Sequence, residues 1–288
     1  MSVNSLYSSE VPMLERHPPS PVDDVLAHLR RQVSDLHQEL VRYNLVVWTA
    51  GNVSARVHGA DLFVIKPSGV DYDRLSPANM IVCDLDGEVV DGGGLSPSSD
   101  TAAHAYVYRH LPEVGGVVHT HSTYACAWAA RGEPVPCVLT AMADEFGAEI
   151  PVGPFALIGD DSIGRGIVET LAGHRSPAVL MQNHGVFAVG RDARAAVKAA
   201  VMCEDVARTV HISRQLGDPL PITGPDIDRL YDRYQNVYGQ SEPAPATAPE
   251  PGRTSAEGRA GARTAPADGP AADGTATDRP ATDRGVTA

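Results

Sequence analysis

The chain has 288 residues, 43% of them hydrophobic and 20% charged, the balance of a soluble globular protein. A formal net charge of -13 excludes a broad basic face for nucleic acid. No apolar run reaches the roughly 18 residues of a membrane span, and four cysteines without a CxxC pair point to a reducing, cytoplasmic compartment.

Residues 1–22 carry four prolines and no apolar stretch, and read as a flexible arm rather than a signal peptide. From Asp23 to Tyr43, Val25, Leu26, Leu29, Val33, Leu36 and Leu40 recur at spacings of three and four, which predicts an amphipathic helix. Asp23 and Asp24 sit in its first turn, where the helix dipole favours anions. His28 and His37 fall on this helix and are expected at the surface. Short β-like runs follow at Val53–Val57 and Leu62–Lys66, then at Met80–Cys83 and Glu88–Val90 around an Asp86-Gly87 turn. Ser99-Asp100 opens a helix to about Leu111, with Pro112 beyond it. Gly116–His119 reads as a buried strand, Ser122–Arg131 and Ser162–His174 as helices, and Ala178–Gln182 and Val186–Val189 as strands. A long Ala-rich helix spans Asp192–Leu216, and a short one Pro225–Tyr234. Trp48 and Trp128 are expected to pack, and His104 and His110 to be structural. Hairpins mixed with helices indicate an α/β fold with a mixed or antiparallel sheet.

The last 48 residues, 241–288, hold 7 Pro, 6 Gly and 13 Ala, and Val286 is their only larger apolar side chain. Such a segment buries too little to offset chain entropy of roughly 1–2 kcal/mol per residue, so it reads as a disordered tail. One domain over 23–240 is left as the folded body.

Chemistry-bearing residues cluster in a few places. His119-Thr120-His121 lies at the end of a strand, where residues i and i+2 share a face, so two imidazoles can meet one cation. The bland alternative is a pair of polar residues at a strand end. His184, before Gly185, is a third ligand or a turn histidine. Asp100 is a helix N-cap that can also reach a cleft. Three histidines, with or without a carboxylate, suit a divalent cation such as Zn²⁺. Gly51-Asn52-Val53-Ser54 and Pro67-Ser68-Gly69-Val70 are short polar turns whose N–H groups could meet an anion, with Lys66 directly before the second. Ser98 and Ser99 stand at a helix N-terminus. Each turn alone is unremarkable; beside a metal cluster they suggest a phosphorylated small substrate.

Together these stretches resemble the class II aldolase/adducin-head family. The matching residues are Asn44-Leu45-Val46 with Thr49-Ala50-Gly51-Asn52-Val53-Ser54, and Val64-Ile65-Lys66-Pro67-Ser68-Gly69-Val70-Asp71-Tyr72. Pro97-Ser98-Ser99-Asp100-Thr101 and Gly115-Gly116-Val117-Val118-His119-Thr120-His121-Ser122 come next in the family's order. Ala143-Asp144 with Phe146-Gly147, then Asn183-His184-Gly185, then Tyr238-Gly239-Gln240 complete it.

The resemblance implies a mixed, mainly antiparallel sheet flanked by helices, in a homotetramer with active sites between subunits. It implies one divalent metal per subunit, Zn²⁺ first and Mn²⁺ or Co²⁺ as alternatives, on Asp100, His119, His121 and His184. It puts phosphate contacts on Asn52, Ser68, Gly69, Ser98 and Ser99 with Lys66 beside them, and acid/base roles on Asp144 and Tyr238 of a neighbouring subunit. On the residues alone, Tyr238 reads as a packed aromatic before the tail.

Within the family, Asp100 in place of the aldolases' Glu, and the Tyr-Gly-Gln ending, resemble the pentulose 5-phosphate 4-epimerases. That implies conversion of L-ribulose 5-phosphate to D-xylulose 5-phosphate by breaking and re-forming the C3–C4 bond. Met142 departs from the pattern, since the epimerases tend to carry His two residues before the catalytic Asp. The alternatives are an aldolase cleaving a ketose 1-phosphate such as L-fuculose 1-phosphate, a methylthioribulose 1-phosphate dehydratase, and a non-catalytic adducin-like head. No nucleic-acid or membrane partner is expected.

Overall fold

The computed structural model describes residues 21–237. These lie in the first of two units, Met1–Gly239; the second, Gln240–Ala288, falls outside the described residues with residues 1–20 of the expected arm and Tyr238.

Helix α1, Pro21–Arg42, begins two residues before the expected start at Asp23, so Pro21 and Val22 of the expected arm are helical. Strands β1 (Asn52–Val57), β2 (Leu62–Ile65), β3 (Ile81–Asp84) and β4 (Val89–Asp91) follow. Helix α2 (Thr101–His110), strand β5 (Gly116–Thr120) and helix α3 (Thr123–Arg131) come next. Then come α4 (Thr140–Phe146), β6 (Val152–Gly153), α5 (Ser162–Leu171), β7 (Ala178–Met181) and β8 (Gly185–Gly190). Helices α6 (Ala193–Leu216) and α7 (Gly224–Val237) close the described chain.

The strands form one eight-stranded sheet in the order β4-β3-β2-β1-β5-β8-β7-β6. Every pairing is antiparallel except β6 with β7. The α/β class with a mixed, mainly antiparallel sheet flanked by helices is therefore as the sequence implies. Alternation along the strands gives the sheet two apolar faces. Val53, Val118, Val186 and Ala188 pack with α1, α3 and α6 residues such as Leu40, Trp128 and Val206. Val117, Phe187 and Val179 pack with α2 and α5 residues such as Val107, Tyr108 and Ile167. Polar residues interrupt the second face where β1 and β5 meet α2, and there the site lies.

Two placements differ from the sequence reading. His37 is fully buried rather than superficial. Its Nδ1 donates to the Val33 carbonyl, and its Nε2 accepts the Val53 N–H at 3.0 Å, which ties α1 to β1. A neutral, fully bonded imidazole costs little to bury, and burial pushes its pKa down to about 3. Trp48 is 83% exposed, at a positive φ of 58° in the turn before β1, whereas Trp128 is buried as expected.

Candidate metal centre and anion loops

His119 is the last but one residue of β5, and the ladder fixes its setting. Across β5 it pairs with Asn52 of β1 on one side and Phe187 of β8 on the other. The Phe187 ring stacks on the imidazole at 4.1 Å. His119 Nδ1 donates to the Val186 carbonyl at 2.9 Å, which makes Nε2 the unprotonated nitrogen. His121, two residues on, emerges on the same side with its Nε2 2.9 Å from that of His119. His184 stands in the tight turn from β7 to β8, preceded by Asn183 in the left-handed region at φ 56°.

The three histidines offer ligand atoms that all lie within 4.8 Å of one another. They grade from buried His119 through half-buried His184 to exposed His121, so the cluster opens outward. Two further features fit a divalent cation. His184 Nε2 is buried and has no hydrogen-bond partner. Gly185 makes the close approach possible: a Cβ there would lie 2.5 Å from the Thr120 carbonyl, 3.1 Å from His121 and 3.3 Å from His119. Convergent imidazole nitrogens, an unsatisfied one among them, fit a cation such as Zn²⁺, whose Zn–N distances are about 2.0–2.1 Å.

Asp100 precedes α2 and is 5% exposed. Its side chain does not cap the helix; instead Asn52 Nδ2 donates to its Oδ2 at 2.7 Å. Its Oδ1 is buried without a hydrogen-bond partner. Burial alone would raise this carboxyl. Nearby His119 and His104, the Asn52 hydrogen bond and His184 together hold it below the usual carboxylate range. The carboxylate thus stands beside the histidines, though the close cluster consists of the three imidazoles.

Behind Asp100, Ser54 Oγ joins His104 Nδ1 and the Tyr108 hydroxyl, each at 2.7 Å. Burial pushes His104 down to about 4, with Asp100 opposing. The expectation that His104 is structural fits this placement.

The two anion loops lie side by side. Ser68 N–H donates to the Ser96 carbonyl, and Ser98 N–H to the Lys66 carbonyl, with Pro67 and Pro97 bridged between them. Ser68, Gly69 and Ser99 are exposed, while Ser98 is buried and its Oγ accepts from Asn52 Nδ2 at 2.9 Å. Asn52 therefore joins the anion loops to the carboxylate. Lys66 is only 2% exposed. Its ammonium donates to the Thr49 carbonyl at 2.9 Å and lies 5.5 Å over the Tyr72 ring. Burial pushes it down to about 8, against the pull of Asp100. It ties the turn before β1 to the Ser68 loop from behind.

Asp144 is not part of the close histidine cluster. It is on α4, a helix that the sequence reading does not foresee, and its neighbours are on α7: Arg233 Nη2 at 3.9 Å, and Gln235, whose amide donates to the Asp144 carbonyl. The available signal for α4 is Gly147, which ends the helix in the left-handed conformation at φ 60°.

The family described as Class II Aldolase and Adducin N-terminal domain matches residues 31–211. Over 219 residues the chain is 42% identical to the L-ribulose-5-phosphate 4-epimerase UlaF of Salmonella paratyphi C, covering 72% of this chain and 92% of that protein. The Salmonella typhi protein of the same name is 43% identical over the same length. An L-fuculose 1-phosphate aldolase structure superposes with a TM-score of 0.68 at 24% identity, covering 72% of this chain and 96% of that one. The L-fuculose-1-phosphate aldolase of Thermus thermophilus gives a TM-score of 0.55 at 26% identity, covering 67% and 100%. The chain belongs to the class II aldolase and adducin N-terminal domain family.

Proposed function

We propose that this protein is a metal-dependent sugar-phosphate 4-epimerase that interconverts L-ribulose 5-phosphate and D-xylulose 5-phosphate. The observation that carries it is the bridge made by Asn52, which joins the paired Ser68 and Ser98 loops to Asp100 beside the three histidines. An anion grip and a Lewis-acid site are thereby held at a fixed separation, as a phosphorylated ketose requires. The 42% identity to the Salmonella epimerase supports this substrate over the ketose 1-phosphate of the aldolases, which are more distant at 26% or less.

His119, His121 and His184, with Asp100, would hold the divalent cation, Zn²⁺ first among the candidates. When bound it supplies polarisation of the ketose carbonyl. Every other task falls to the chain. Ser68, Ser98 and Ser99 present hydroxyls, and Gly69 and Ser99 backbone N–H groups, to the phosphate, aided by the dipole of α2. Asn52 orients Ser98 and Asp100, and buried Lys66 adds positive charge behind the loops. Breaking the C3–C4 bond needs a group that takes the C4 hydroxyl proton, and re-forming it on the other face needs a second group to return one. We assign these tasks to Asp144 and Tyr238. As the family resemblance implies, Asp144 and Tyr238 would serve the histidine cluster of a neighbouring subunit, in a homotetramer. The phosphate grip retains the two-carbon aldehyde while it turns. The domain would span 23–240, with 241–288 dispensable. Four free cysteines fit a reducing cytoplasm, and no helix among the described residues is long and apolar enough to cross a membrane.

The test is turnover of L-ribulose 5-phosphate by the metal-loaded full chain. Formation of D-xylulose 5-phosphate, stopped by a chelator and restored by metal, is the expected result. Release of dihydroxyacetone phosphate from L-fuculose 1-phosphate, without epimerisation, would favour the aldolase instead.

A further inference from the structure

The chain has only two lysines, and the second has no part in the site described above. Lys198 lies in the second turn of α6. Its ammonium is 2.8 Å from Glu145 Oε2 and 5.1 Å over the Tyr234 ring. Glu145 is next to Asp144 on α4 and its side chain is 6% exposed. Tyr234 is on α7, four residues before Tyr238 in sequence. One ammonium thus links three helices.

The nature of α7 makes that link matter. The helix has no fully buried residue. Ile227, Leu230, Tyr231 and Tyr234 form a half-buried stripe at helical spacing. Its attachment therefore rests on a few side-chain clasps rather than on a core. At one end Arg175 pairs with Asp228 at 2.5 Å and lies 5.3 Å over the Tyr231 ring. Tyr231 in turn fits against Gly147, where a Cβ would lie 2.5 Å from its ring. At the other end Lys198 meets both Glu145 of α4 and Tyr234 of α7, and Arg233 of α7 lies 3.9 Å from Asp144. A nearly buried carboxylate such as Glu145 needs its partner, because an unpaired charge there is strongly disfavoured.

We infer that Lys198 is a positioning residue: through Glu145 and Tyr234 it holds α7 on α4, and so fixes the setting of Asp144. The inference rests on the assignment of Asp144 to proton transfer. Lys198 itself touches neither substrate nor metal.

The experiment uses the metal-loaded full chain and three variants, Lys198→Arg, Lys198→Met and the pair Glu145→Gln with Lys198→Met. The pair removes the unpaired charge, so it keeps the test alive if Lys198→Met alone does not fold. Two readouts are taken: steady-state kinetics on L-ribulose 5-phosphate, and amide hydrogen exchange over 224–237. Lys198→Met and the pair should lower kcat at least tenfold with KM and metal content unchanged. They should speed exchange in α7 at least tenfold while β5 and β8 keep theirs. Lys198→Arg should recover most of both. Unchanged exchange in α7 would overturn the clamp, whatever the kinetics. Faster exchange with unchanged kcat would overturn the positioning role. A wild type without turnover would sink the epimerase reading alone, and the exchange data would still decide whether Lys198 clamps α7.

Discussion

Asn52 and His119 stand opposite each other across the β1–β5 ladder, and the Asn52 amide carries that register to Asp100, 2.7 Å from its Nδ2. A backbone pairing thereby sets how far the carboxylate and the anion loops lie from the histidines. Asn52→Ala removes one donor from two buried acceptors, Ser98 Oγ and Asp100 Oδ2. Stability should fall by about 1–3 kcal/mol, and turnover at least tenfold. Denaturant unfolding and steady-state kinetics check both; a variant as active as the wild type would separate Asn52 from the site.

Gly185 lets two β-turn neighbours come close. In Gly185→Ala the new methyl would lie 2.5 Å from the Thr120 carbonyl and against both His119 and His121. Overpacking of this kind costs typically about 1–3 kcal/mol. The expected result is a folded protein of lower thermal midpoint that holds well under one metal ion per chain by elemental analysis. Full metal content would show that the turn can give way.

Stability should depend on pH through two buried histidines outside the cluster. His37 and His104 have folded values of about 3 and about 4, below the ordinary value of 6.5. Above pH 6.5 both states are neutral there and stability is complete. Between 6.5 and about 4 the unfolded chain takes up protons that the folded chain refuses, so stability falls as the pH falls. Each group contributes a slope of at most about 1.4 kcal/mol per pH unit. Unfolding midpoints measured from pH 7.5 to 5 should decline below 6.5; a flat profile would contradict the buried neutral assignment.

If Asp144 serves a neighbouring subunit, two inactive variants should rescue each other. His184→Ala keeps Asp144, and Asp144→Asn keeps the histidines. Subunits mixed under conditions that allow exchange should regain a measurable fraction of wild-type turnover. No recovery in verified mixed oligomers would place both groups in one subunit's site.

Much of the fold and the site is legible in the sequence. The apolar spacing of Val33, Leu36 and Leu40 marks α1, and the HxH spacing at His119 and His121 gives one face because β-strands alternate. The Gly-Ser turns are visible as turns. Their pairing is not, because the bonds from Ser68 to Ser96 and from Ser98 to Lys66 join segments far apart in the chain. Helix α4 escapes because its short span gives too little periodicity, and its entry at Leu139 has no side-chain cap. His37 reads as superficial because its partners, Val33 and Val53, are backbone groups, which periodicity does not reveal. Bulk alone argues for Trp48 inside, but its left-handed backbone turns it outward. Lys66 stands out by rarity, and its commitment to the Thr49 carbonyl appears only in three dimensions.

The most direct measurement follows the hydrogen on C4 of the sugar. Breaking and re-forming the C3–C4 bond inverts C4 while its hydrogen stays in place. Metal-loaded protein should convert L-ribulose 5-phosphate to D-xylulose 5-phosphate in deuterium oxide with no deuterium at C4, as read by nuclear magnetic resonance. Deuterium at C4, or no conversion by protein shown to carry its metal, would contradict the proposed 4-epimerisation.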